Sequence, residues 1–282
     1  MRVTDKTVER SIMAETSDYR GNDGVLHCGI CHEAKEAFYP AGMEWLGKKK
    51  HPRMCACYRE ECEQEEKRVR HKEHELFVER LRANCFSASH MYRWCFRNDN
   101  GRNPKMKIAK EYVDAWEENE KGNRGLLFWG GVGTGKSFMA GCIANELLEI
   151  EVSVRMTNFA EILNELNRSD TDRNAYIQKL CKFRLLIIDD LGMERGTDYG
   201  MEQVYNVIDA RYRSGKPLIV TTNLSLQEMK NETNMARKRI YDRILTMCIP
   251  VQIQGTNMRQ EEQREKFRGF SKSIGLFQKQ DS

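Results

Sequence analysis

Apolar residues follow the spacings of regular secondary structure along most of the chain after residue 85. Short runs of consecutive apolar residues are typical of strands buried on both faces of a parallel sheet, and they lie at 125–129, 152–156, 185–188, 217–222 and 248–253. Between the runs, apolar residues recur every three or four positions, which predicts helices at 108–120, 137–149, 159–166, 176–183 and 201–213. This alternation predicts an α/β domain whose parallel sheet is flanked by helices on both faces.

The first third of the chain has a different pattern. Residues 1–57 are rich in loop-forming residues, whereas 58–84 is a charged helical stretch with a sparse apolar seam. Mixed charges on a helix usually form a solvated face, although such a helix also suits a connector or a partner-binding arm. We therefore divide the chain into an N-terminal module over 1–84, the α/β domain over 85–262 and a polar tail over 263–282.

A glycine-rich octet joins the first predicted strand of the α/β domain to the helix that follows. It fits the phosphate-binding pattern G-x-x-x-x-G-K-[ST] and consists of Gly130, Gly131, Val132, Gly133, Thr134, Gly135, Lys136 and Ser137. Glycines let backbone N–H groups turn toward a phosphate chain, and the helix N-terminus adds a positive dipole. Lys136 is predicted to reach the β- and γ-phosphates of ATP, and the Ser137 hydroxyl to coordinate Mg²⁺.

Two carboxylates, Asp189 and Asp190, follow the buried strand at 185–188. Ligands of open α/β sheets bind at the carboxyl edge of the strands, so Asp189 is predicted to hold the Mg²⁺ shell and Asp190 to polarise the attacking water. Glu194 is an alternative for the base, because many ATPases of this type carry Glu at the second acidic position. Asn223 directly follows another strand and is predicted to orient the water, although Asn is also a common turn former.

Five of the ten cysteines lie within residues 28–62. Cys28 and Cys31 form one close pair, and Cys55 and Cys57 form a second. Two such pairs separated by a loop predict one structural zinc ion held by these four cysteines, with Cys62, His32 and His51 as substitute ligands. Because residues 1–57 carry few large apolar residues, a metal would supply the missing folding free energy. The alternatives are free cysteines in a small domain and a redox-active C-x-x-C pair.

Composition and charge narrow the class of protein. The chain has 282 residues with 40% hydrophobic content, enough for one α/β core and a smaller module. A net charge of +4 does not by itself indicate nucleic-acid binding, so any affinity for DNA should be weak and salt-sensitive. The polar N-terminus and the lack of a long apolar run predict a cytoplasmic protein without a membrane span.

Four segments, 125–137, 186–194, 207–212 and 216–224, resemble the DnaC/DnaI-type helicase loaders and the related IstB transposition ATPases, which are AAA+ proteins. The likeness covers roughly residues 86–262. The sequence departs from the family pattern at Gly131, where Pro is frequent, and at Ser137, where Thr is frequent, and both changes keep the required chemistry. The cysteine pairs are similar to those of one branch of loaders, which includes phage-encoded ones.

The resemblance implies further roles. Arg243 corresponds to the arginine finger that reaches the γ-phosphate of a neighbouring subunit, and Arg259 to the second sensor, which contacts the nucleotide of its own subunit. It also implies ATP-dependent self-association, an N-terminal module that binds a replicative DnaB-type helicase, and an ATPase domain that engages single-stranded DNA.

Three hypotheses follow. The first is an ATP-driven helicase loader, the second an IstB-like ATPase that assists a transposase on duplex DNA, and the third a zinc-containing adaptor whose nucleotide site acts only as a switch. The cysteine-rich N-terminus followed by a charged helix favours the first hypothesis.

Overall fold

The computed structural model describes residues 18–43, 47–99, 101, 103–192 and 198–273, and the chain divides into two compact units, Met1–Leu76 and Phe77–Ser282. In the first unit, β1 (Tyr19–Arg20) pairs antiparallel with β2 (Leu26–His27), and β3 (Glu36–Phe38) pairs antiparallel with β4 (Lys50–Pro52). Among its described residues, Val25, Cys28 and Cys55 are the buried ones. This small core agrees with the scarcity of large apolar residues in the sequence.

The helix α1 spans Ala56–Cys85, close to the predicted charged stretch. Most of its side chains are exposed, and Val78 and Cys85 are buried. Ion pairs one turn apart line its surface, for example Arg68 with Glu65 at 2.6 Å. Such pairs each contribute only a few tenths of a kcal/mol to a helix, about 0.2–0.5.

The second unit contains the α/β domain. After two short 3-10 turns it runs through α2 (Met106–Asp114), α3 (Trp116–Lys121), β5 (Gly125–Trp129), α4 (Lys136–Glu149), β6 (Val154–Asn158), α5 (Phe159–Leu166), α6 (Arg173–Lys182) and β7 (Leu185–Leu191). It continues through α7 (Asp198–Arg213), β8 (Leu218–Thr222), α8 (Leu226–Lys230), α9 (Met235–Met247), β9 (Cys248–Gln252) and α10 (Met258–Ser273). Among the described residues, no helix is both long and apolar enough to cross a membrane.

Five strands form one parallel sheet in the order β6-β7-β8-β5-β9, which confirms the predicted fold class. Successive side chains of a strand point to opposite faces, so each strand contributes to two cores. In β5, Leu126 and Phe128 pack with α2, α3 and α4, whereas Leu127 packs on the other face with α5, α6, α7 and α9. Helices therefore cover both faces of the sheet.

The strand β9 forms one edge of the sheet and pairs with β5. The N–H of Ile253 donates to the carbonyl oxygen of Trp129 at 2.8 Å, so backbone N–H groups at every second position point toward β5. By this alternation the ring nitrogen of Pro250 lies on the free side, where it leaves no ladder hydrogen bond unmade.

Three elements differ from the sequence prediction. The helix predicted at 108–120 is interrupted at Ala115. The buried side chain of Asn119 donates to the carbonyl oxygen of Tyr112 at 3.0 Å, and it takes the place of the backbone N–H four residues after Tyr112 that would donate in a continuous helix. The strand predicted at 152–156 is β6, two residues further on, in register with Leu185–Asp189 of β7. The polar tail begins as part of α10, and residues after Ser273 lie outside the described part of the chain.

Arg211 of α7 is fully buried, with 0% exposure. Its guanidinium donates to the carbonyl oxygen of Cys181 in the last turn of α6 and to those of Phe183 and Arg184, which follow that helix. It also donates to the carbonyl oxygen of Pro217, which precedes β8. Burial lowers the pKa of Arg211 to about 10, so the group remains charged at neutral pH. One side chain thus supplies donors to carbonyl groups at the C-terminal end of α6, where a helix leaves its last carbonyl groups unpaired, and to the carbonyl group that precedes β8.

Replacing Arg211 by Met should lower the free energy of unfolding by about 3 kcal/mol or more, because several buried carbonyl groups lose their donors. The control is Arg213→Met, which removes an arginine two residues away whose side chain is 73% exposed and pairs with Asp209. That change should cost less than about 1 kcal/mol. Urea denaturation of both variants measures the difference, and equal stabilities would contradict the role assigned to Arg211.

Candidate functional site

The glycine loop lies between β5 and α4, as the sequence predicts. Its backbone has left-handed φ values at Gly130, Gly133 and Gly135 of +143°, +77° and +91°. A Cβ atom at Gly130 would lie 2.2 Å from the carbonyl oxygen of Ile253, so this position also excludes any side chain. The loop conformation therefore favours glycine at both positions that the motif specifies, Gly130 and Gly135, and also at Gly133, which the motif leaves open.

Lys136 begins α4 and is the centre of the site. Its ammonium group donates to the carbonyl oxygens of Gly130 at 2.9 Å and Gly131 at 2.7 Å and to Oδ1 of Asn223 at 2.7 Å. Burial lowers the pKa of Lys136, and the nearby charges of Asp190 and Asp189 oppose that shift. The site therefore holds a partly desolvated ammonium among oxygen acceptors. In this arrangement the oxygens of a phosphate chain can replace the present acceptors of the ammonium.

The structure brings the predicted acidic and amide residues to the same edge of the sheet. Asp189 and Asp190 lie near the end of β7, and Asn223 directly follows β8. The amide nitrogen of Asn223 donates to Oδ1 of Asp190 at 3.1 Å while its oxygen accepts from Lys136. Asn223 therefore connects the glycine loop with the acidic pair.

Three further residues of the predicted octet lie in this loop or in the first turn of α4. Ser137 lies in the first turn of α4 and is half-buried, whereas Val132 is exposed at the tip of the loop. Thr134 is buried, and its hydroxyl donates to the carbonyl oxygen of Gly131 at 2.9 Å. This bond closes the loop on itself, a role that the motif alone does not assign to Thr134.

Arg259 lies near the site because α10 begins against the glycine loop. The N–H of Met258 donates to the carbonyl oxygen of Gly133 at 3.0 Å, and a Cβ atom at Gly133 would overlap the side chain of Asn257 at 2.0 Å. The exposed Arg259 is close enough to contribute to the lowered pKa of Lys136. The docking of Asn257 could not be predicted from local sequence, since this contact depends on the tertiary approach of two segments.

Arg243 occupies a different environment, on α9. Its guanidinium pairs with the carboxylate of Asp209 at 2.6 Å and lies over the rings of Tyr205 and Tyr212, at 5.7 Å and 4.7 Å from their centroids. These three partners belong to α7 and not to the glycine loop. Glu194, the alternative base, lies outside the described residues.

The first unit holds a cluster of four sulfur atoms. The Sγ atoms of Cys28, Cys31, Cys55 and Cys57 lie within 4.8 Å of one another, a group that could hold a metal ion. Cys57 is 3.4 Å from Cys28 and 3.3 Å from Cys55. A tetrahedral Zn²⁺ with Zn–S bonds of about 2.3 Å requires sulfur separations of about 3.8 Å, so the four donors fit this ion. Among the described residues, Cys62, His32 and His51 are not members of the cluster.

Backbone groups prepare one half of the cluster for the thiolate state. N–H groups of Cys57 and Glu33 lower the pKa of Cys31 to about 6, and those of Cys31 and Ile30 lower the pKa of Cys28. Burial raises the pKa of Cys55. Because only thiolates bind metal, the donors at Cys28 and Cys31 suit a cation site.

Comparison with known proteins places the chain among ATP-binding proteins. Residues 60–266 match the family described as IstB-like ATP binding protein. The chain is 29% identical over 175 residues to the replicative helicase loader DnaI of Bacillus subtilis, and the matched segment covers 57% of this chain and 56% of that protein. It is 28% identical over 148 residues to the replicative helicase loader DnaC of Escherichia coli K12, and the matched segment covers 51% of this chain and 58% of that protein. The chain thus spans about half the length of the curated relatives it matches.

Solved structures agree with this placement. A crystal structure of DnaI has a TM-score of 0.52 at 25% identity and covers 61% of this chain and 94% of that chain. A putative primosome component from Streptococcus pyogenes has a TM-score of 0.51 at 21% identity, with 62% and 93% covered, and it supports the fold alone.

Replacing Lys136 by Ala should weaken ATP binding at least about 10-fold, because the charged donor to the phosphate chain is lost. The control is Lys107→Ala, which removes a lysine with 80% side-chain exposure on α2. Titration of a fluorescent ATP analogue into each folded variant measures the dissociation constants. Unchanged affinity in the Lys136 variant would contradict the assignment of the site.

Proposed function

Since the chain belongs to the family of IstB-like ATP binding proteins, we propose that it is an ATPase that loads a replicative, hexameric DnaB-type helicase onto single-stranded DNA. The observation that carries this proposal is the convergence of Lys136, Asn223 and Asp190 at the glycine loop. The relatives named replicative helicase loaders supply the process in which such an ATPase would act.

The site residues have distinct roles in the proposed hydrolysis of ATP. Backbone N–H groups of the glycine loop and the ammonium of Lys136 bind the phosphate chain. Ser137 and Asp189 would hold Mg²⁺, an ion that prefers oxygen ligands and neutralises charge on the phosphate oxygens when bound. Arg259, at the start of α10, contacts the nucleotide of its own subunit.

Asp190 is the proposed base. Its carboxylate accepts from Asn223, so the amide fixes the carboxylate close to the loop where the γ-phosphate would lie. Asn223 orients the attacking water, and Asp190 accepts its proton as the oxygen of the water bonds to the γ-phosphorus and the bond from that phosphorus to the β-phosphate oxygen breaks, which releases ADP. Glu194 stays an alternative base in this proposal.

Arg243 is the proposed finger that acts on a neighbouring copy of the chain. In the single chain its guanidinium is paired with Asp209, so reaching a neighbour's phosphate requires exchange of that carboxylate for a phosphate oxygen. Turnover should therefore depend on self-association through the ATPase domain.

The N-terminal module over 1–84 is the proposed helicase-binding part, and the four-cysteine cluster is its proposed zinc site. The fit of the sulfur positions to tetrahedral zinc and the small apolar core of the first unit support this proposal. Bound zinc would supply folding free energy to a unit that buries little apolar surface.

Purified protein should contain about one zinc ion per chain. In Cys31→Ser the zinc content should fall well below this value, because a tetrahedral site loses one of four thiolates. Cys62→Ser, which alters a cysteine outside the cluster, should keep the full content. Elemental analysis measures all three proteins, and a wild-type value well under one equivalent would exclude the zinc site.

A second candidate function is assistance of a transposase on duplex DNA. The description of the matched family as IstB-like favours it, because the match extends over residues 60–266. The two functions differ in partner and in DNA, so binding measurements separate them. In either case the small net charge of +4 favours weak, salt-sensitive binding of DNA.

Copurification with the host's replicative helicase, with and without ATP, tests the loader proposal. The full chain should retain the helicase, and Cys31→Ser should lose it while Cys62→Ser should not. Lys136→Ala should retain the helicase but fail to transfer it to single-stranded DNA. Failure of the full chain to bind the helicase, together with binding of duplex DNA and a transposase, would replace the loader by the second candidate.

A further inference from the structure

The pairing of β7 with β8 is irregular at the acidic residues. Ile188 pairs with Val220, but the next pair is Leu191 with Thr222, so two residues of β7 lie opposite one residue of β8. The two residues are Asp189 and Asp190, and the one opposite is Thr221. Bulges are rare in parallel pairs and are frequent next to active sites, where they redirect side chains.

The bulge accounts for the position of two successive carboxylates. In a regular strand, Asp189 and Asp190 would point to opposite faces of the sheet. Here Asp190 has a φ of +61°, in the left-handed region that Asp tolerates better than most residues. Both carboxylates are consequently close enough to Lys136 to oppose the lowering of its pKa.

The hydroxyl of Thr221 takes part in both halves of this arrangement. It accepts a hydrogen bond from the N–H of Asp190 at 2.9 Å and donates its own proton to Oδ1 of Asp189. Thr221 is 1% exposed, so water cannot replace these bonds. It lies two residues before Asn223, whose amide nitrogen donates to Oδ1 of the same Asp190.

We propose that Thr221 is a positioning residue for the metal site: its hydroxyl fixes the bulge and holds the Asp189 carboxylate in the orientation that receives Mg²⁺. This inference rests on the proposed ATPase function. It assigns to Thr221 no contact with ATP, because the hydroxyl acts through the two aspartates. Groups that orient metal ligands typically change metal affinity about 10- to 100-fold when removed.

The neighbouring Thr222 provides a matched control. It is equally buried, and its hydroxyl donates to the carbonyl oxygen of Leu191 at 2.8 Å and accepts from the N–H of Leu224 at 3.1 Å. Removing it deletes the same number of hydrogen bonds from the same strand. Its partners are backbone groups and not the carboxylate of Asp189.

The test measures the Mg²⁺ concentration needed for half-maximal binding of a fluorescent ATP analogue, and separately the affinity for that analogue in EDTA. Thr221→Val should raise the required Mg²⁺ concentration about 10- to 100-fold and leave the affinity in EDTA unchanged, since Lys136 keeps its contacts. Thr221→Ser, which restores the hydroxyl, should return to the wild-type value. Thr222→Val should also keep that value.

Thr221→Ala removes the same hydroxyl from a smaller side chain and replaces the Val variant if that variant does not fold. A hydroxyl-free variant with wild-type Mg²⁺ dependence would overturn the inference. An equally large rise of the required Mg²⁺ concentration in Thr222→Val would overturn it as well. Wild-type protein that binds the analogue without any Mg²⁺ dependence would instead overturn the proposed ATPase site, and the inference with it.

Discussion

The partly buried ammonium of Lys136 is the group on which the rest of the site depends. A desolvated charge is costly unless oxygen acceptors surround it, and here the acceptors come from two separate segments of the chain. Asn223 reaches the ammonium only because β8 lies beside β5 in the sheet. The N–H of Gly130, which donates to the carbonyl oxygen of Thr222 at 3.3 Å, continues that pairing into the loop. The sheet order thereby decides which side chains surround the phosphate-binding lysine.

Much of this could be predicted from local sequence, because β5, the loop and α4 are continuous in the chain. The apolar run before Gly130 and the helical spacing after Lys136 define strand and helix independently of the remaining fold. The bulge at Asp189 and Asp190 could not be predicted, since the run from 185 to 190 looks like a regular strand that ends in a turn. The break at Ala115 and the burial of Arg211 could not be predicted from the sequence either, because both depend on hydrogen-bond acceptors that only the folded chain brings near.

The first unit depends on a different source of stability. Its described buried residues include two cysteines of the four-sulfur cluster, so its interior is largely the cluster itself. Spacing in the sequence favoured Cys28, Cys31, Cys55 and Cys57, because two close pairs separated by a loop suit tetrahedral coordination. The sequence could not exclude Cys62, His32 and His51, since their separation from the cluster is set by the conformation of the chain between them.

Pro250 limits how copies of the chain can associate. The free edge of a sheet usually allows a strand of another molecule to pair with it, since its N–H and C=O groups have no hydrogen-bond partners within the sheet. At the centre of β9 the pyrrolidine ring stands where an incoming strand would need a donor. Continuation of the sheet from one molecule into the next is therefore blocked at this edge. Contacts between copies on this side of the sheet must instead form through helices and side chains, which leaves strand addition to the opposite edge, β6.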